Sequence, residues 1–262
     1  MKEDPIVIVG AARTQIGGFL GDFKDVAAPA LGARAISAAV ERAGVAPEAV
    51  DEVFMGCVLS AALGQAPARQ ASLGAGLPLG AGCTTVNKVC GSGMKAAMLA
   101  TDLLRSGSAD VVVAGGMESM SNAPYLLDRA RAGYRLGHGR TIDHMFLDGL
   151  EDAYDRGRLM GTFAEDCAQS YQFTRAQQDA YALASLERAN RAIHDGAFRW
   201  EIVPVAVKAA RREGLVETDE QPPKAKPEKI PALKPAFREG GTVTAANSSS
   251  ISDGAADARE RG

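Results

Sequence analysis

Cys90 lies in the stretch CTTVNKVCGSGMKAAMLATDLL, residues 83–104, with Gly91 and Gly93 directly after it. Thr84, Thr85 and Val86 make a β-prone lead-in. After the glycines, Met94, Ala97, Met98, Thr101 and Leu104 recur at three- and four-residue steps, which predicts a helix. This layout puts the thiol at or just before a first helical turn. Unpaired backbone N–H groups and the positive end of the helix dipole there favour a thiolate over a thiol. Two glycines without Cβ atoms let a ligand come close to the sulfur. The chemistry that fits is nucleophilic attack with a covalent intermediate. The residues alone leave a second reading open, because free cysteine is among the most buried residue types and often serves as a small core hydrophobe.

The same residues match another pattern. Gly91-Ser92-Gly93-Met94-Lys95-Ala96 fits a dinucleotide-binding fingerprint, and Glu118 stands at the end of the next apolar run, where a ribose-binding acid belongs. The alternative function would be an NAD-dependent oxidoreductase. Two features weigh against it: the fingerprint usually follows the first strand of its unit, whereas two predicted strands precede its own here, and nucleotide binding gives the cysteine no task. Farther on, residues 241–254 are dense in small and hydroxyl-bearing side chains, which suit either close approach to a ligand or a polar turn. Lys224, Lys226 and Lys229 could meet phosphates or simply form a solvated face.

These groups need elements to position them. Residues 5–10 (PIVIVG), 53–59, 84–89 and 110–116 read as strands, the first as one buried on both faces. Helical patterns run over 28–43, ended by Gly44 and Pro47, and over 66–73. Strands alternating with helices predict an α/β fold with a mostly parallel sheet covered on both faces. From 121 to about 240 the chain becomes more charged and irregular. It holds one long helical pattern at 174–194, with Thr174 as N-cap and Gln177 in the capping-box position, and a short strand at 201–207. The proline- and lysine-rich segment DEQPPKAKPEKIPALKP is expected to be irregular over most of its length. The expected division is a core at 1–120, an inserted loop domain at 121–245, and a return to the core at 246–262.

Composition sets the outer bounds. Of 262 residues 46% are apolar and 23% charged, an ordinary globular mix. A net charge of -3 gives no reason to expect a nucleic-acid or anionic-membrane partner. No apolar run approaches a membrane span. Cys57, Cys83, Cys90 and Cys167 are too scattered for a disulfide framework or a close metal-type pair, so a reducing cytoplasm is the expected location.

Asn87-Lys88-Val89-Cys90-Gly91-Ser92-Gly93-Met94-Lys95-Ala96 resembles the acyl-enzyme signature of the thiolase family, nearest its acetyl-CoA C-acetyltransferase branch. The segments 9–14 (VGAART), 115–120 (GGMESM), 160–165 (MGTFAE) and 241–254 follow in that family's order and spacing. The resemblance covers residues 5 to about 256. It implies a Cys90 acyl-enzyme that makes or cleaves a 3-ketoacyl-CoA, with acyl-CoA and coenzyme A as substrates and no further cofactor or metal. It implies that the Cys90 N–H helps form an oxyanion hole and that Ser249 hydrogen-bonds the pantetheine arm. Leu150, Met160, Phe237 and Ala245 would line the arm's slot, and Met160 points to a short acyl chain. A homo-oligomer is also implied.

The sequence departs from that pattern in places. Pro223 stands where relatives often carry an arginine for the nucleotide end of coenzyme A, which leaves Lys224 as the nearest cation. Leu159 stands where many have a histidine. After Ala256 comes Asp257-Ala258-Arg259-Glu260-Arg261-Gly262 in place of an apolar strand. None of His138, His144 and His194 matches the family's base, and His194 is expected at the surface. The expectation is a chain that stops before the last strand of its first sheet. It would be impaired unless a separate second half completes it, or else be an inactive fragment that at most binds acyl-CoA.

Overall fold

The structure, a computed structural model, describes residues 6–209 and 212–261. The chain folds into two compact units. The first comprises Met1–Asn122, Phe198–Glu220 and Ser252–Gly262, and the second Ala123–Ala197 and Gln221–Ile251. The stretch Phe198–Glu220, placed by the sequence within the excursion, thus groups with the first unit.

The first unit is built on one sheet. Its elements in chain order are β1 (Val7–Arg13), β2 (Gly17–Gly18), α1 (Ala28–Arg42), β3 (Glu52–Gly56), α2 (Pro67–Gly74), β4 (Gly82–Val86), α3 (Ser92–Arg105) and β5 (Val111–Ser119). The second unit adds the two-residue strands β6 (Tyr125–Leu126) and β7 (Ile142–Asp143), a π-helical turn at Phe146–Leu150, α4 (Met160–Ser170) and α5 (Arg175–His194). The hairpin β8 (Val205–Ala209) and β9 (Arg212–Val216) returns to the first unit. The short helix α6 (Gln221–Lys224) belongs to the second, and β10 (Ser252–Arg261) joins the sheet of the first.

The sheet order is β1-β10-β5-β3-β4, with β2 also paired to β10. The α/β class holds, but the sheet is mixed. β3 runs parallel to β4 and β5, whereas β10 runs antiparallel to β1, β2 and β5. Apolar runs reveal burial and not direction, so the three antiparallel pairings left no trace in the pattern. β1 is an edge strand, and Val7 and Ile8 are exposed instead of buried on both faces. Pro5 lies outside the described residues.

Residues 252–261 form a strand, where the sequence reading expected no strand pattern after Ala256. Asp, Arg and Glu are poor strand formers, yet this segment pairs along nine consecutive positions with β5 and also with β1. Two ladders of backbone hydrogen bonds hold it against its own composition.

α1 and α2 cover one face of the sheet. Leu31, Ile36, Val40, Ala68 and Ala71 pack there on Val53, Met55, Val111, Val113 and Met117. α3 covers the other face with Ala96, Ala100 and Leu104 against Val112 and Ala114. Met94 and Met98, two of the residues whose recurrence predicted the helix, are 75% and 53% exposed. The buried stripe is mostly alanine because the helix lies too close to the strands to admit longer side chains.

α5 starts as the sequence indicated. The Thr174 hydroxyl accepts from Gln177 N–H, and the Gln177 side chain accepts from Thr174 N–H in return. The proline- and lysine-rich segment is more regular than expected, holding α6 and a 3₁₀ turn at Pro227–Ala232.

Candidate active site

β4 ends at Val86, and residues 87–91 turn the chain into α3. The Asn87 side chain accepts from Val89 N–H at 3.0 Å, which bends the backbone immediately. Val89 then takes a left-handed φ of +48°, an uncommon and costly conformation for a β-branched residue. Ser92 locks the turn: its Oγ accepts from Lys88 N–H at 2.8 Å and donates to Val89 O at 2.6 Å. Cys90 sits at the crest, exposed and free, two residues before the first residue of α3. Gly91 is the N-cap and supplies no side-chain cap, while the N–H groups of Gly91 and Ser92 donate back to Lys88 O and Val89 O.

Missing side chains set how closely this turn approaches the sheet. A Cβ on Gly56 would lie 2.7 Å from both Gly93 N and Ser92 C. Gly116 in turn comes within 3.5 Å of the Gly93 Cα by the same measure. Glycines on β3, α3 and β5 thus let the helix start rest directly on the strands.

Cys57 offers a contrast. It is buried, and its thiol faces Glu118 Oε1 at 3.6 Å. Burial, together with the nearby Glu118 charge, pushes the thiol up to about 12, so it stays protonated and inert. The Glu118 carboxylate also accepts from Val58 N–H at 2.8 Å and Leu59 N–H at 3.0 Å. The acid that the dinucleotide reading needed is therefore committed to the backbone after β3. Among the described residues, no group of three or more His, Cys, Asp or Glu side chains is placed to hold a metal ion, and no helix is long and apolar enough to cross a membrane.

The other candidate residues all belong to the second unit. Leu150 ends the π-helical turn and Met160 begins α4; the bridge between Glu151 and Leu159 brings these two together. The Phe237 ring lies against Gly161, next to Met160. A backbone hydrogen bond from Ala236 to Val243, 2.9 Å, ties the neighbourhood of Phe237 to that of Ala245. The neighbours of these four residues are thus linked to one another. Phe237 also lines an open depression of about 410 Å³ with Lys234 and Arg238. Ala245 and Ser249 are exposed on the irregular segment that leads back to β10, and Lys224 is exposed at the end of α6. Gln221, on the same short helix, donates to Ile251 O.

Two acids that sequence reasoning missed, Glu165 and Asp179, are buried in this unit. Only their position on helical faces otherwise turned inward could have flagged them. His194 is exposed, as expected, and so is His138, while His144 is buried with Nδ1 2.7 Å from Asp148 Oδ2.

Comparison with known proteins gives a consistent result. Residues 6–258 match the family model described as thiolase, N-terminal domain. Acetyl-CoA acetyltransferase 2 of Arabidopsis thaliana is 56% identical over 255 residues, which cover 96% of this chain and 63% of that protein. The acetyl-CoA acetyltransferase of Pseudomonas aeruginosa is 49% identical, over 96% of this chain and 64% of its own. Among solved structures, the acetyl-CoA acetyltransferase of Syntrophomonas wolfei superposes with a TM-score of 0.92 at 42% identity, covering 98% of this chain and 64% of that one. The Acat5 thiolase of Ascaris suum, solved in complex with coenzyme A, gives the same TM-score at 39% identity, covering 98% and 65%. The chain spans just under two thirds of the length of these relatives.

Proposed function

The chain belongs to the thiolase family, and on that premise we propose that Cys90 takes an acyl group from an acyl-CoA and passes it on, making or cleaving a 3-ketoacyl-CoA such as acetoacetyl-CoA. The observation that carries this reading is the exposed, free Cys90 on a locked turn at the start of α3.

In the first step the Cys90 sulfur attacks the thioester carbonyl and forms a C–S bond. The tetrahedral oxyanion collapses and expels coenzyme A as a thiolate, which takes up the proton released by Cys90. Backbone N–H groups at the head of α3, that of Cys90 included, suit the developing oxyanion. In the second step the α-carbanion of another acetyl-CoA attacks the acyl carbon and expels the Cys90 thiolate. In the reverse direction, coenzyme A thiolate attacks in place of the carbanion. The bases that move the α-proton are assigned to the additional third of the relatives' length, as a continuous or separately encoded polypeptide, since none of the three histidines here fits.

In the second unit, Ser249 is assigned to the pantetheine arm of coenzyme A. Leu150, Met160, Phe237 and Ala245 are assigned to its slot, and Lys224 to its phosphates. No other cofactor is required. Four free thiols suit a reducing cytoplasm, and a homo-oligomer is the expected assembly.

Mass spectrometry after incubation with acetyl-CoA tests the reading. An acetyl adduct on Cys90, absent from Cys90→Ala, is the expected result. Coenzyme A binding without any adduct would instead assign the chain to ligand binding alone.

A further inference from the structure

We propose that Glu165 and Asp179 are positioning residues, two buried carboxylates that set the course of the segment carrying Ala245 and Ser249 and so shape the pantetheine site. The proposal rests on the assignment of those two residues to coenzyme A. Residues 241–251 have no helix or strand of their own, so their backbone N–H groups must find partners elsewhere.

Glu165, on α4, is 3% exposed. Its Oε1 accepts from Val243 N–H at 2.8 Å and Thr242 N–H at 3.0 Å, and its Oε2 from the Thr242 hydroxyl at 3.2 Å. Gly241 makes this possible, because a Cβ there would collide with the carboxylate. Asp179, on α5, is 6% exposed. Its Oδ1 accepts from Asn247 Nδ2 at 3.1 Å, and its Oδ2 from Arg175 Nε at 2.7 Å. Asn247 then closes the loop upon itself: its Oδ1 accepts from Thr244 N–H at 2.7 Å and its Nδ2 donates to Thr242 O at 3.1 Å. Arg175 reaches past Asp179 to donate to Ile230 O and Leu233 O.

The segment is thus anchored on both sides of Ala245, by Glu165 at 242–243 and by Asp179 through Asn247. Charge-assisted bonds to a carboxylate are shorter and stronger than neutral ones. Ala245 and Ser249, exposed, have no such anchors of their own and inherit their place from these two.

Calorimetric titration of the full chain with coenzyme A, paired with the rate of Cys90 acetylation by acetyl-CoA, tests the proposal. Asp179→Asn and Asn247→Ala should each weaken coenzyme A binding about tenfold, and their effects should not add in the double variant, since both break one chain of contacts. The half-saturating acetyl-CoA concentration should rise by the same factor while the limiting rate stays within about twofold, a split that general damage to the fold would not produce. If Asp179→Asn fails to fold, Asn247→Ala, at a half-buried site, carries the same test. Should the unsubstituted chain not bind coenzyme A, or Ser249→Ala bind it unweakened, the underlying assignment falls and the proposal with it. Should Ser249→Ala weaken binding while Asn247→Ala and Asp179→Asn do not, or should their effects add or lower the limiting rate equally, the positioning role alone is overturned.

Discussion

Two regions of this chain bury carboxylates and treat them in opposite ways. In the second unit, Glu165 and Asp179 accept hydrogen bonds at every oxygen and use their charge to hold an irregular segment. On β10, Asp257 is 4% exposed and, among the described residues, has no hydrogen-bond partner at either oxygen, and Arg259, fully buried two residues on, has none at its three nitrogens. The two share one face of the strand yet form no ion pair with each other, and Asp257 crowds Gly115 on β5. Burial pushes the Asp257 carboxyl well above the usual range, and burial followed by the charge of Arg261 lowers Arg259. A buried ionisable group organises its surroundings only where partners come to meet it; otherwise it is a standing cost that other contacts must offset.

Replacing Asp257 by Val and Arg259 by Leu gives the sharpest test of this contrast. Removing two uncompensated buried groups should stabilise the chain by about 1–4 kcal/mol, read as a higher urea midpoint at unchanged slope; a lower midpoint would refute the difference between the regions. Glu165→Ala should act in the opposite direction and cost about 2–3 kcal/mol, because Thr242 and Val243 lose their acceptor. The pH dependence of unfolding separates the regions again. The folded Asp257 holds a proton that the unfolded chain releases near pH 4. Stability should therefore fall as pH rises from about 4 through the raised folded value, by up to about 1.4 kcal/mol per pH unit. Asp257→Asn should flatten that slope. The smallest expected effect is Thr174→Ala, which leaves the buried acids untouched and removes one exposed cap for about 1 kcal/mol.

The two regions also differ in how legible they were. Cys90 stood out because a thiol, two glycines and a helical period form a local signal, and the capping box at Thr174 is local in the same way. Leu150, Met160, Phe237 and Ala245 have no pattern in common, and only resemblance singled them out; their neighbours meet through the Glu151–Leu159 bridge, the Ala236–Val243 bond and the long-range packing of Phe237 on Gly161. β10 was read as a departure from strand because propensity is a local quantity, while its pairing with β1 and β5 is set from outside. The alanine stripe on α3 was hidden for a related reason. Periodicity ranks side chains by hydrophobicity, but the clearance over the sheet decided which of them could fit beneath the helix.

That clearance governs the height of the candidate nucleophile. Ordinary contact between a carbon and its neighbours lies near 3.5–4 Å, so a single methyl group on Gly56, 2.7 Å from the backbone of Gly93, would act as a shim and jack the head of α3 upward by about 1 Å. The altitude of the Cys90 sulfur is thus written partly in β3, more than thirty residues upstream, as an atom that strand leaves out.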